Sequence, residues 1–224
     1  MTVVTEAEAL GWLRNILGVD QTGMTRLSQL VTLLLEENER QNLVARGTLP
    51  HVWVRHIVDS AQLLHVSRET LGDDCWLDLG TGAGFPGLVI AALQPHRPVT
   101  LVDSRRLRTD WLQRAANALQ LPNVRVVLSR VEDLQSGPHD VISARAFAPL
   151  DKLLELSARF STPDTVWLLP KGARAAQELE MLPESWNHMF HVEQSLTDAD
   201  AGIIVGRLLG GSVGRASTAK GKRT

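Results

Sequence analysis

Hydrophobic and polar positions follow two different rhythms along this chain. Before residue 70 the period is helical. In "TRLSQLVTLLLEENERQNL" Leu27, Leu30, Val31 and Leu34 recur at i, i+3, i+4 and i+7, with Glu36, Glu37, Glu39 and Arg40 on the face left to water. In "PHVWVRHIVDSAQLL" Pro50 suits a helix entry, and Trp53, Ile57, Ala61 and Leu64 form an apolar stripe with His56 and Asp59 opposite. Two or three helices are therefore expected over residues 1–70, packed on whatever follows.

After Cys75 the rhythm changes to short apolar runs separated by helical spacers. The runs are "CWLDLG", "PVTLVD", "NVRVVL", "HDVISA" and "DTVWLLP". The spacers are "FPGLVIAALQ", "RLRTDWLQRAANALQ", "RVEDL", "APLDKLLELSARF" and "KGARAAQELE". Strand and helix in alternation predict a doubly wound α/β fold, a mostly parallel Rossmann-like sheet covered on both faces. Past Pro183 the alternation fails. "MFHVEQSL" and "AGIIVGRLL" are joined by too few residues for a crossover helix, so they read as an antiparallel hairpin at the sheet edge, bringing the sheet to about seven strands. Residues 71–210 thus form the main domain, and 211–224, rich in Gly, Ser, Lys and Arg, read as a basic disordered tail.

Composition narrows the class of protein. A chain of 224 residues with 44% hydrophobic content supports one core of moderate size. The lone Cys75 excludes an intrachain disulfide, "MTVVTEAEAL" lacks a basic start before an apolar stretch, and no apolar run approaches the roughly 18 residues of a spanning helix. A cytoplasmic monomer away from the membrane is the expectation. The formal charge of -2 neither requires nor excludes a polyanionic partner, which a local basic patch would recognise.

The most informative stretch is "WLDLGTGAGFPGLVIAAL", where a predicted strand turns through Gly80, Gly82, Gly84 and Gly87 into a predicted helix. Glycines there let a ligand approach backbone amides at the positive end of a helix. Two patterns overlap. Gly82, Gly84 and Gly87 with Asp103 fit the dinucleotide fingerprint, whereas Asp78, Gly80, Gly82 and Gly84 fit the D-x-G-x-G-x-G motif of S-adenosylmethionine-dependent methyltransferases. Ligands of such sheets sit at the carboxyl ends of the strands. Asp78 and Gly80 would then face the methionine part, Asp103 the ribose hydroxyls, and Val131 and Glu132 the adenine. The terminal hairpin and the lack of room for an oxidoreductase substrate domain favour the methyl donor. A small-molecule or protein methyltransferase, an NAD-dependent oxidoreductase and a non-catalytic nucleotide-binding module are the competing classes.

"RHIVDS", "DLGTGAGFPGLVIA", "SRVED", "ISARAF" and "LPKG", in this order and spacing, resemble the RsmG (GidB) family of bacterial small-subunit rRNA guanine-N7 methyltransferases over residues 25–208. The resemblance implies S-adenosyl-L-methionine as cofactor and a guanine in the decoding-region loop of 16S rRNA, free or in a small-subunit particle, as target. It also implies that Gly80, Phe85, Val131, Glu132 and Arg145 contact the cofactor, and that the "RHIVDS" strip with Arg55 and His56 roofs the cleft. In place of the family's common Lys-Arg pair after the second-strand acid, this chain has Leu107 and Arg108.

Guanine N7 carries an in-plane lone pair and no proton, so the reaction needs no general base, unlike methylation of a hydroxyl or exocyclic amine. Orientation of the reacting atoms can then supply most of the acceleration. No proton-transfer residue is nominated, and Arg145 is the positioning candidate. Arg105, Arg106, Arg108 and Arg114, with Lys171 from "LPKG", would form a basic rim for phosphates. Arg55 and Asp59 are spaced for a surface ion pair. His188 and His191 lack metal-ligand spacing, so no metal is expected.

Overall fold

A capping box opens the first helix of the computed structural model, which describes residues 2–68 and 75–208. Thr5 accepts from the Glu8 amide and the Glu8 carboxylate accepts from the Thr5 amide, starting α1 (Glu6–Asn15). Asp20 caps α2 (Gln21–Asn38) by accepting from the Gly23 amide at 2.7 Å. Leu27, Leu30, Val31 and Leu34 are all buried, as the period predicts. Glu37 departs from the wet face assigned to it. It is buried, and its carboxylate accepts from Arg114 at 2.7 Å and Gln41 at 2.7 Å.

Pro50 lies inside a 3-10 turn (Arg46–His51) instead of at a helix entry, and the chain then winds through a π-helical turn (Trp53–Val58) into α3 (Asp59–Val66). A π turn holds more residues than an α turn, so a stripe counted at 3.6 residues per turn loses its phase. His56, expected opposite Trp53 and Ile57, is buried with them, and Arg55 alone of residues 52–58 stays exposed.

The sheet contains β1 (Trp76–Leu79), β2 (Val99–Asp103), β3 (Val124–Leu128), β4 (Val141–Ser143), β5 (Val166–Gly172), β6 (Phe190–Gln194) and β7 (Gly202–Gly206). Their spatial order is β3-β2-β1-β4-β5-β7-β6. The first five strands are parallel, and β7 pairs antiparallel with both β5 and β6. The helices are α4 (Gly87–Leu93), α5 (Arg106–Ala118), α6 (Leu150–Ser157), α7 (Ala175–Glu180) and α8 (Glu184–Asn187). "RVEDL" makes only a 3-10 turn (Val131–Asp133), and α8 occupies a stretch for which no helix was expected.

Side chains alternate between two cores, which is why the strands read as nearly continuous apolar runs. Trp76, Leu101, Val141 and Leu168 join Leu13, Leu27, Ile57 and Leu112 on one face. Leu77, Ile142, Trp167 and Leu169 join Leu150, Leu154 and Phe160 on the other. The N-terminal helices therefore share a core with the sheet. No helix among the described residues is long and apolar enough to cross a membrane. Residues 211–224, read above as a disordered tail, lie outside the described residues.

Candidate active site

Strand order reverses between β1 and β4, which opens a crevice at their carboxyl ends. The glycine turn crosses it with Gly80, Gly82 and Gly84 at φ of +64°, +58° and +99°, values that side-chain-bearing residues rarely adopt. Two strand-end carboxylates hold this backbone. Asp103 Oδ2 accepts from the Gly82 amide at 3.0 Å, and Asp78 Oδ2 accepts from the Gly87 amide at 3.0 Å.

The four glycines have different work. A Cβ on Gly80 would stand 2.3 Å from the Phe147 ring, and Gly80 lines a cavity. Gly84 and Gly87 face inward, where a Cβ would come within 2.4 Å of Leu88 and 2.1 Å of Leu101. Gly82 has no such neighbour, and its amide serves Asp103. Gly82 and Gly84, expected from the motif at the ligand, also shape the turn itself.

Asp78 is likewise turned inward. It is fully buried, with Oδ1 accepting from the Ser143 hydroxyl at 2.7 Å, and burial pushes its carboxyl up to about 6. It braces the turn and lines neither cavity described below. Phe85 is likewise packed inside the site. Its buried ring stacks on His56 at 5.1 Å between centroids, with the Arg145 guanidinium 5.3 Å from its centre.

A cavity of about 390 Å³ opens beside the turn, lined by Gly80, Asp103, Arg105, Val131, Glu132, Ala146 and Phe147. A second cavity of about 540 Å³ is lined by Thr48, Arg55, His56, Asp59, Arg145, Lys171 and Thr197 and shares Ala146 and Phe147 with the first. Both are in the size range of small-molecule sites. A larger cavity of about 760 Å³ lies against residues 17–26 and 92–97, before β2 begins and away from the strand ends that carry Asp78 and Asp103.

The first cavity fits the expected cofactor on three grounds: a glycine without Cβ at one wall, a strand-end carboxylate, and Val131 and Glu132 together after β3. Asp103 is already engaged, with Oδ1 accepting from the Arg105 amide at 2.9 Å and from Arg105 Nε at 3.4 Å.

Three members of the expected basic rim also have partners within the protein. Lys171 lines the second cavity with its side chain 6% exposed and donates to the Ala148 carbonyl at 2.6 Å and to Glu178 at 2.9 Å. Arg108 donates to the Asn42 carbonyl, and Arg114 pairs with Glu37 at 2.7 Å. Arg105 and Arg106 at the start of α5 remain outward candidates.

Arg55 and Asp59 do not pair with each other. Arg55 reaches Asp198 in the β6–β7 loop at 2.9 Å, and Asp59 reaches Arg145 at 3.1 Å. Arg145 NH2 lies 3.4 Å from His56 Nδ1, while His56 Nε2 lies 2.8 Å from Thr48 Oγ1, which donates to the Ala45 carbonyl. Burial and the charges of Arg145 and Arg55 drive the His56 pKa down to about 3. Only one tautomer satisfies all these contacts: Nδ1 accepts from Arg145 and Nε2–H donates to Thr48. His56 therefore walls the second cavity without a spare donor.

Thr197 and Asp198 line the second cavity without any signal in the sequence, and Phe147, the last residue of "ISARAF", lines both cavities. "TDADAG" has the composition of an ordinary turn, and nothing in it shows which helix it meets. Phe147 was legible only as an aromatic residue two places beyond Arg145.

The rRNA small subunit methyltransferase G (GidB) family matches residues 24–203. Proteins named ribosomal RNA small subunit methyltransferase G are 76% identical in Novosphingobium aromaticivorans, covering 100% of both chains, and 55% identical in Erythrobacter litoralis, covering 96% of this chain and 100% of that one. Among solved structures, a protein from Corynebacterium glutamicum superposes with a TM-score of 0.58 at 14% identity, covering 92% of this chain and 99% of that one. A SAM-dependent methyltransferase from Aquifex aeolicus superposes with a TM-score of 0.51 at 17% identity, covering 67% and 89%. These structures share the fold. With nearly the whole described sheet inside the family match, the chain belongs to the rRNA small subunit methyltransferase G family.

Proposed function

We propose that this protein transfers a methyl group from S-adenosylmethionine to N7 of a guanine in the decoding-region loop of 16S rRNA, acting in the cytoplasm as a monomer. The observation that carries the reading is the pair of cavities at the switch point, which share Ala146 and Phe147 in their walls. One suits a nucleoside-bearing cofactor, and the other, walled by Arg145, suits a purine. The cofactor supplies an already activated sulfonium methyl. The chain has to hold and orient: Gly80 admits close approach, Asp103 takes the ribose hydroxyls by exchanging its Arg105 contact, and Val131 and Glu132 flank the adenine. Arg105 and Arg106 lead the phosphate backbone towards the cavities.

No side chain moves a proton. His56 stays neutral at working pH, and the raised Asp78 carboxyl is sealed behind the turn, so neither offers a base to the cavity. Acceleration comes from alignment of sulfur, methyl and N7, a source of about 7–11 kcal/mol in well-oriented systems. The test is transfer of labelled methyl to naked 16S rRNA and to small-subunit particles, followed by base mapping and by borohydride and aniline cleavage, which requires the ring cation of N7-methylguanine. Labelled guanine resistant to that treatment would move the reaction to another atom.

A further inference from the structure

Arg145 is held from a direction that the glycine motif does not reveal. Its NH1 group donates to Asp59 Oδ2 at 3.1 Å and to the Arg55 carbonyl at 3.4 Å, and its NH2 group donates to the neutral His56 ring at 3.4 Å. All three partners belong to the N-terminal helical layer, whereas Arg145 follows β4. Three of the five guanidinium donors are thereby used, which leaves two for a ligand in the cavity that Arg145 lines.

Asp59 divides its two oxygens between two tasks. Oδ2 faces Arg145, while Oδ1 accepts from the Thr197 hydroxyl at 3.0 Å and from Gln62 Nε2 at 3.0 Å. Gln62 in turn accepts from the Leu196 amide at 2.8 Å. The carboxylate is thus immobilised by the β6–β7 loop before it meets the arginine. Its ion pair with Arg145 has side-chain exposures of 23% and 20%, low enough to limit solvent screening and to restrict where the guanidinium can go.

Resting on the proposed methyl transfer, we propose that Asp59 is a positioning residue for the reaction: it fixes the guanidinium of Arg145 so that its remaining donors face the target purine. Asp59 lines the same cavity as Arg145, and its Oδ2 is directed to the guanidinium, so it acts through Arg145. A long side chain on a loop has many rotamers, and catalysis by orientation requires one. The immobilised Oδ2, the backbone carbonyl of Arg55 and the neutral ring of His56 leave one arrangement in which all three are satisfied. His56 fits this role because a protonated ring would repel the arginine.

The discriminating variant is Asp59→Asn. Its amide oxygen can replace Oδ1 towards Thr197 and Gln62, while its NH2 group meets Arg145 as a donor facing a donor. The structural bonds survive and the contact to Arg145 alone is lost. Single-turnover methyl transfer to small-subunit particles is measured at saturating cofactor and RNA for the native protein, Asp59→Asn, Arg145→Ala and the double variant, with cofactor Kd and melting temperature recorded for each. Asp59→Asn is expected to slow transfer at least 10-fold with cofactor Kd within threefold of native, and the double variant is expected to be no more than twofold slower than Arg145→Ala. Multiplicative losses in the double variant, or a native transfer rate in Asp59→Asn, would overturn the positioning role. If Asp59→Asn melts lower and slows transfer equally in the presence and absence of Arg145, the role is structural only and the proposal fails. Native protein inactive on every ribosomal substrate would instead defeat the functional reading beneath it.

Discussion

The glycine turn makes a quantitative statement about which of its members serve packing. Gly82→Ala and Gly84→Ala look equivalent in the motif and differ in the structure. At Gly84 an added Cβ would lie 2.4 Å from Leu88 Cδ1, 2.8 Å from Leu88 Cγ and 3.1 Å from Leu112 Cδ2, and both leucines are fully buried. Overpacking of that kind costs about 1–3 kcal/mol. The positive φ of +99° adds roughly 1–2 kcal/mol for a residue with a side chain. The total is about 2–5 kcal/mol. At Gly82 the nearest atom is the Gly80 carbonyl oxygen at 3.8 Å, so only the conformational cost remains, about 1–2 kcal/mol. Urea unfolding of both variants without cofactor measures the difference, with equal m-values as the check that unfolding remains two-state. Gly80→Ala completes the series. Its Cβ meets first the half-buried Phe147 ring, at the wall of the first cavity, so the expected result is modest destabilisation with at least tenfold weaker S-adenosylmethionine binding by calorimetry. Gly82→Ala unfolding as easily as Gly84→Ala, or native cofactor affinity in Gly80→Ala, would refute this division of labour.

Other consequences can be measured on the same protein. Asp103→Ala removes the acceptor of two backbone amides and of Arg105, so it is expected to lower stability by about 1–3 kcal/mol as well as to weaken the cofactor; normal stability in calorimetric melting would contradict the bracing role. Below about pH 6.5 the unfolded chain protonates His56 while the folded chain, with a pKa of about 3, does not, which removes about 1.4 kcal/mol per pH unit on acidification. Asp78 acts in the opposite sense between its folded value of about 6 and its unfolded 3.8, because there the folded state holds the extra proton. Asp78→Asn removes that offset, so its stability relative to native should fall by about 1.4 kcal/mol per unit from pH 6 to 4, and parallel curves would exclude it. Lys171→Met is expected to reduce stability by disrupting the half-buried Glu178 pair without changing the salt dependence of RNA affinity, whereas Arg106→Ala should reduce the slope of log affinity against log salt by about 1; the reverse pattern would place Lys171 in the phosphate rim.

The alternation of strand and helix, the edge hairpin and the position of the glycine turn were all determined by local sequence, because period, turn residues and apolar runs report short-range constraints. The same holds for Gly80, Asp103, Val131 and Glu132, which are brought to one cavity by their places at successive strand ends. Tertiary structure decided what each polar group faces. Helical spacing made Arg55 and Asp59 natural partners, yet the π turn and the β6–β7 loop send them to Asp198 and Arg145. "LPKG" marks Lys171 as basic, and the fold pairs it with Glu178 and the Ala148 carbonyl. Asp78 stands in a ligand-binding motif, and the amide of Gly87 and the hydroxyl of Ser143 claim its oxygens. A motif records which residue types lie near one another along the chain. The partner of a charge is chosen by elements distant in sequence, through burial that makes an unsatisfied group too costly to leave alone.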